Sequence, residues 1–314
     1  MLVFIINGNS LVSIPTPRLS RRMTWRSILL LLVLILGVLS INALYNSLVN
    51  AQTVLSGANG EVLYAAGFDG FEDEWQQYDG RLKSQIADGV LRLTVDDTNS
   101  TIYSLAKPAF GDFDMQVQVS PVDGPIDNAY GVIFRLHKQA NTCDMPLKAL
   151  CDLAEIDLFA VPLRLMFRPT SNTADGYYIF LISADGYYSV WKASETGSTT
   201  QAKKVSQWIA SDLVRQGLDE KNTLRVVAQG DTFQFYINGE QVALCLPDNP
   251  DSASTYSGGE CIGGQMVFGL TDADYATGQI GMVAQSTVSG GTGVVVEYDN
   301  LIITSPAPDA GLQA

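Results

Sequence analysis

From residue 89 onward the chain alternates apolar and polar side chains in short runs, broken by glycine, aspartate and asparagine at turn spacing. Period-two alternation in runs rich in β-branched and aromatic residues predicts strands. The clearest are residues 89–95 (GVLRLTV), 113–120 (FDMQVQVS), 130–137 (YGVIFRLH), 177–183, 187–192, 223–229 (TLRVVAQ), 232–237 (TFQFYI), 278–285 (GQIGMVAQ) and 294–304 (VVVEYDNLIIT). Asp185-Gly186, Gly230-Asp231 and Asn238-Gly239 suit tight hairpins because these residues tolerate positive φ. Nine or more antiparallel strands of this length predict an all-β fold, a sandwich of two antiparallel sheets. Beyond the first fifty residues only residues 206–217 (SQWIASDLVRQG) read as helix, and for a few turns at most.

Alternation also sorts side chains into faces. In residues 175–192 (DGYYIFLISADGYYSVWK) a two-residue Asp185-Gly186 turn sets Ala184 opposite Tyr187 and Phe180 opposite Trp191. One face then holds Ile179, Leu181, Tyr188 and Val190, compatible with a core. The other holds Tyr178, Phe180, Tyr187, Ser189 and Trp191. Around Gly230-Asp231, Leu224, Val226 and Ala228 pair with Phe233, Phe235 and Ile237 as an apolar side, leaving Arg225, Val227, Gln229, Thr232, Gln234 and Tyr236 outward. Residues 130–137 give Val132, Phe134 and Leu136 inward, with Ile133, Arg135 and His137 outward. If the three segments share a sheet, its outward, concave face carries Arg135, Tyr178, Trp191, Arg225, Gln234 and Tyr236. Flat rings beside planar hydrogen-bonding groups suit a sugar, whose apolar side stacks while its hydroxyls are bonded. The alternative is that the long insertions cover Tyr178 and Trp191, which then form a second small core.

Residues 138–174 and 244–277 separate strong strands by far more than a hairpin needs and read as insertions. The first contains ALCDLAEIDLFAVPLRLMF (residues 149–167), too apolar to lie free in water, so it buries itself on the sandwich, a partner or the membrane. Each insertion holds two cysteines, and the spacings of Cys143 with Cys151 and Cys245 with Cys261 favour two local disulfides.

Ahead of the sandwich, residues 1–26 hold Arg18, Arg21, Arg22 and Arg26 and no acid, and residues 27–49 open with the apolar run SILLLLVLILGVLSINAL. This predicts an N-terminal hydrophobic helix, either a cleaved export signal or a single transmembrane anchor with its N-terminus cytoplasmic. Met1 and Met23 are both candidate starts. Residues 50–63 read as a linker and 305–314 as a tail. The first fifty residues contain four of the 19 basic residues, which leaves 15 basic against 33 acidic in the remainder. Such a surface disfavours nucleic acid and suits an extracytoplasmic, secreted or membrane-tethered protein with a neutral ligand.

Several chemistries are excluded or narrowed. His137 is the only histidine, which removes histidine-based triads, and no P-loop, dinucleotide fingerprint or zinc spacing is present. Hydrolysis of a glycoside needs only two carboxylates and stays open.

FDGFEDEWQQYDG with GVLRL, GDFDMQVQVS, YGVIFRLH, DGYYIFLISADGYYSVWK, LRVVAQGDTFQFYINGEQVA, GQIGMVAQ and VEYDNLIIT, in this order, resemble the concanavalin A-like jelly-roll superfamily, in particular its LamG-like and 3-keto-disaccharide hydrolase-like domains. The resemblance spans roughly residues 64–304 without the two insertions. It implies a jelly roll, and a superfamily of sugar-binding modules, adhesion domains and glycoside hydrolases. Laminarinase-type members carry Glu-Ile-Asp followed shortly by a second Glu. Here Glu155-Ile156-Asp157 matches the first two acids, but Phe159 and Ala160 stand where the proton donor belongs, so no catalytic residue is carried over. The resemblance also allows a structural calcium, with Asp272 and Asp274, or Asp69 and Asp299, as candidates; no other cofactor is expected. The resulting expectation is a non-catalytic module that binds carbohydrate or another cell-envelope component. Its rivals are a glycoside hydrolase and an adhesion module that uses the apolar insertion.

Overall fold

The computed structural model describes residues 53–70, 74–137, 175–196, 199–249, 252–287 and 293–307. The first half of the described chain forms β1 (Val54–Leu55), β2 (Val62–Ala66), β3 (Leu82–Ala87), β4 (Val90–Val95), β5 (Thr101–Phe110), β6 (Phe113–Asp123), β7 (Ala129–His137), β8 (Asp175–Ser183), β9 (Tyr187–Thr196) and β10 (Thr199–Ala210). There follow β11 (Asn222–Gln229), β12 (Thr232–Ile237), β13 (Glu240–Gln241), β14 (Ala243–Pro247), β15 (Thr255–Ser257), β16 (Glu260–Ile262), β17 (Gly264–Phe268), β18 (Leu270–Thr271), β19 (Gly278–Gln285) and β20 (Val294–Thr304). Two large sheets result. A seven-stranded sheet runs β1-β5-β19-β7-β8-β9-β10. The other runs β13-β12-β11-β6-β20-β4-β3, with β18 beside β12 and β2 beside β20. This is the all-β two-sheet sandwich the strand pattern implies, and the jelly roll the resemblance implies. The segment read as a linker contributes β1, which joins β5 in parallel, and the start of β2.

Inward-facing side chains of both sheets meet in one apolar core. Phe134 and Phe180 of β7 and β8 lie 5.5 Å from Phe233 and 5.1 Å from Phe235 of β12, respectively. Tyr298 also bridges the layers: its fully buried hydroxyl donates to the Val283 carbonyl at 2.7 Å and accepts from the Gly131 N–H at 3.1 Å. A smaller apolar cluster, Leu105, Ala129, Ile133, Leu136, Ile179, Leu181 and Val283, lies on the opposite, outer face of the seven-stranded sheet.

The β11–β12 hairpin has the expected two-residue turn, with Gln229 opposite Thr232, and its apolar side is buried as read from the sequence. The β8–β9 hairpin differs. Its turn has three residues, Ala184-Asp185-Gly186, with Gly186 at φ +95°, so Ser183 rather than Ala184 stands opposite Tyr187. The register moves by one residue, and Tyr178 and Phe180 fall on the core face while Ile179, Leu181 and Trp191 fall on the outer one.

Three further expectations are corrected. Residues 206–210 belong to strand β10 rather than a helix, with Ile209 opposite Tyr188 across β9 and buried in the core. Register shifts in β10, between Lys204 and Ser206 and again before Ile209, break the period of two and leave a spacing that mimics a helix. In β7 a bulge after Phe134 sets Arg135 at φ +53°, and Leu136 therefore joins the outer cluster instead of the core. Arg135 itself is buried, not outward.

The second insertion holds the ribbons β14–β17 and β15–β16, joined by the Cys245–Cys261 disulfide. The first insertion, with Cys143, Cys151 and Glu155-Ile156-Asp157, and the N-terminal apolar segment lie outside the described residues. Among the described residues no helix is long and apolar enough to cross a membrane.

Candidate functional site

The six residues expected on one face are distributed over three places. Arg225, Gln234 and Tyr236 stand together on the outer face of the nine-stranded sheet. There the Arg225 guanidinium donates to both oxygens of Asp114, at 2.7 and 2.6 Å, and lies 4.7 Å from the Tyr236 ring centroid. The hydrogen bonds to Asp114 hold the guanidinium pKa above its ordinary value. The Tyr236 hydroxyl donates to Gln234 Oε1 at 2.7 Å. Arg225 thus has its carboxylate and its aromatic partner within the protein.

Arg135 and Tyr178 lie at the end of the sandwich, between the sheets. The Arg135 guanidinium is 5.8 Å from each of the Phe113 and Phe233 ring centroids, and Nη2 donates to Asp112 at 3.3 Å. Burial lowers its pKa, which Asp112 partly restores. The Tyr178 ring stacks on Phe134, and its hydroxyl donates to Asp272 at 2.7 Å. Lys192 Nζ donates to both Asp272 and Asp274, at 2.5 Å each. The ammonium therefore sits between the two acids proposed for a cation. Among the described residues no cluster of three or more His, Cys, Asp or Glu is arranged to hold a metal ion. Among the described residues Asp69 and Asp299 have no such cluster around them either; Asp299 accepts from the Asn300 N–H at 2.6 Å.

Trp191 remains on the outer face of the seven-stranded sheet, where other aromatics join it. Trp208 of β10, Tyr177 of β8 and Tyr103 of β5 each pack, as Trp191 does, against the outer apolar cluster, and all four are half-buried; Trp208 and Tyr177 are on strands next to β9, while Tyr103 is four strands away. Between β9 and β10 the floor is polar and closed: Ser189 is buried and donates to the Ser206 carbonyl at 2.7 Å. Lys204, the register partner of Trp191, places its ammonium 4.9 Å from that ring's centroid. Trp191 Nε1 is buried and has no hydrogen-bond partner among the described residues. Together these side chains make a half-open aromatic surface with donors at its edge, the combination that binds the apolar side of a pyranose.

Residues 64–304 match the family model of the 3-keto-alpha-glucoside-1,2-lyase-like domain. The chain belongs to this family. The match covers the sandwich from β2 to β20 and so takes in all three clusters. No curated protein matches this member of the family. Among solved structures it is similar to the carbohydrate binding module CBM66 from Bacillus subtilis, at 14% identity over 74% of this chain and 96% of that one, with a TM-score of 0.41. It is also similar to a Bacillus licheniformis beta-glucanase, at 11% identity over 79% and 99%, TM-score 0.43. A third is a prokaryotic beta-1,3-1,4-glucanase (lichenase) from a mouse hindgut metagenome, at 14% over 77% and 98%, TM-score 0.44.

Trp208, Lys204 and Tyr103 were missed by the sequence reading. Trp208 lies in the run read as helix and Lys204 just before it; the two register shifts of β10 cancel, so plain alternation from 204 to 208 would have put both on one face.

Proposed function

We propose that this family member is an extracytoplasmic carbohydrate-recognition domain whose ligand lies on the outer face of the seven-stranded sheet, over Trp191 and Trp208. The observation that carries the reading is the half-buried Trp191 and Trp208 of neighbouring strands, with Tyr177 on the next strand, all packed against the outer apolar cluster, in a domain of a glycoside-directed family. Placement outside the cytoplasm is supported by the arginines and apolar run of residues 18–49 and by the Cys245–Cys261 bond, since disulfides persist in oxidising compartments. The aromatic face is tested on a glycan array: the protein gives a signal for a defined oligosaccharide class, and Trp191→Ala or Trp208→Ala removes it. Binding that survives both substitutions overturns the assignment of the face.

A catalytic reading is favoured by one further observation together with the lyase named in the family description. The seven strands of this sheet contain just two acids, Asp175 and Glu195, and these are direct register partners on β8 and β9. Hydrolysis of a glycoside needs two carboxyl groups flanking the bond. Turnover of a 3-keto-glucoside or an oligosaccharide that is lost in Asp175→Asn and Glu195→Gln supports this reading. Turnover unchanged in both variants removes it.

A further inference from the structure

Across the outer face of the seven-stranded sheet one register row runs Tyr103, Val283, Gly131, Leu181 and Ser189, from β5 to β9. In the row beside it Gly281 stands opposite Ile133, and Ile179 opposite Trp191. Small and aliphatic side chains thus make a trough, with aromatic rings at its sides. Tyr103 and Trp191 are four strands apart, about 19 Å at ordinary strand spacing, so neither ring covers the middle. Yet Ile133, Leu181 and Val283 have no exposed surface. Among the described residues no third layer lies over them: the ribbons of the second insertion join the inner core through Leu244 and Cys245 instead. The three side chains are buried within a single chain, so neither a second copy nor a lipid surface accounts for the exclusion of water.

We propose that residues 149–167 of this chain, the apolar run of the first insertion, dock on this trough as a third layer of the domain. The insertion leaves β7 after His137 and returns at Asp175 of β8, the two strands at the centre of the trough, where His137 stands opposite Gly176. Residues 138–148 and 168–174 tether the run. The shorter tether reaches roughly 20 Å when extended, about four strand spacings, enough to lay the run across the sheet. Docking there also removes the run's own apolar side chains from water. The inference is independent of the saccharide reading and goes beyond it. A sugar is left the margin at Trp191 and Trp208, which stay half-exposed, and the run is withdrawn from capturing a partner.

The test is photocrosslinking of the full-length protein with benzoylphenylalanine in place of Phe159 or Phe167, in an equal mixture of isotope-labelled and unlabelled chains, read by mass spectrometry. Both probes are expected to crosslink within their own chain, to peptides carrying residues 129–136, 177–183 or 278–285. In the protein without probes, methyl–methyl nuclear Overhauser contacts are expected to link Leu158, Val161 or Leu165 to Ile133, Leu181 or Val283. Crosslinks between labelled and unlabelled chains, to lipid or to the β14–β17 ribbon, or no crosslink at all, overturn the docking, as does the absence of those methyl contacts. The glycan test of the Trp191 face stands apart from each of these results.

Discussion

Trp191 stands directly opposite Ile179 across the β8–β9 hairpin, not opposite Phe180. That one-residue offset puts Trp191 on the outer face and Tyr178 in the core, where its ring stacks 5.5 Å from Phe134. The site depends on the three-residue turn, so shortening it by deleting Ala184 forces Tyr178 and Phe180 outward or leaves the turn strained. The deletion variant is expected to lose cooperative unfolding, or several kcal/mol of stability, roughly the burial of two aromatic side chains. A urea melt that matches the parent protein would contradict the register.

Tyr298 ties β20 to β19 and β7 through one hydroxyl. Tyr298→Phe leaves the buried Gly131 N–H and the Val283 carbonyl short of a partner and is expected to cost about 1–3 kcal/mol. Gly131→Ala is expected to cost about as much or more, because an added Cβ would come 2.0 Å from the Phe180 carbonyl oxygen of the neighbouring strand. Chemical denaturation of each variant measures both effects.

The Cys245–Cys261 bond closes a 16-residue separation around the ribbons of the second insertion. A loop of this length is worth about 3 kcal/mol on chain-entropy grounds. Cys245→Ala with Cys261→Ala, or reduction of the parent protein, is expected to lower the unfolding midpoint accordingly. Unchanged midpoints in reductant would show that the ribbons contribute nothing to global stability.

The Lys192–Asp272–Tyr178 cluster makes stability depend on pH at both extremes. Burial alone would raise the Asp272 pKa, but hydrogen bonds from Lys192 and Tyr178 outweigh it and hold the carboxyl below its ordinary value of 3.8. Its contribution is therefore complete above about 4 and is lost as pH falls through the depressed folded value. Burial would likewise lower the Lys192 pKa, but Asp272 and Asp274 raise it above 10.5. That contribution is complete below the ordinary lysine value and is lost as pH rises through the raised one. Asp272→Asn is expected to flatten the acid limb of a melting temperature against pH curve, and an unchanged slope would exclude the cluster as its source.

The strands and the class of fold were legible because alternation survives in most of the sheet: β6, β11 and β12 bury the side chains their pattern selects, and β20 does so as far as Tyr298, where a register shift inverts it. The β11–β12 hairpin was readable to the residue, since Gly230-Asp231 closes it in two residues. The candidate site was less legible because three local irregularities fall on it. The Ala184-Asp185-Gly186 turn shifts one register, the bulge at Arg135 inverts the end of β7, and the bulges in β10 disguise Lys204 and Trp208. Each is set by contacts distant in sequence. The Arg135 bulge, for example, packs against Gly278, where a Cβ would come 2.4 Å from the Arg135 carbonyl carbon. Sharing a sheet was likewise invisible, because β8 follows β7 in space while β11 crosses to the other layer beside β6.

The most direct test of the saccharide face is the indole region of a nitrogen-labelled spectrum during titration with a bound oligosaccharide. The four tryptophans give four resolvable reporters. Trp191 and Trp208 are expected to shift together and to saturate with a single affinity. Trp75 is buried, donates to the Tyr64 hydroxyl at 3.0 Å and is expected to stay in place. Saturable binding that leaves the Trp191 and Trp208 signals unmoved would contradict the account.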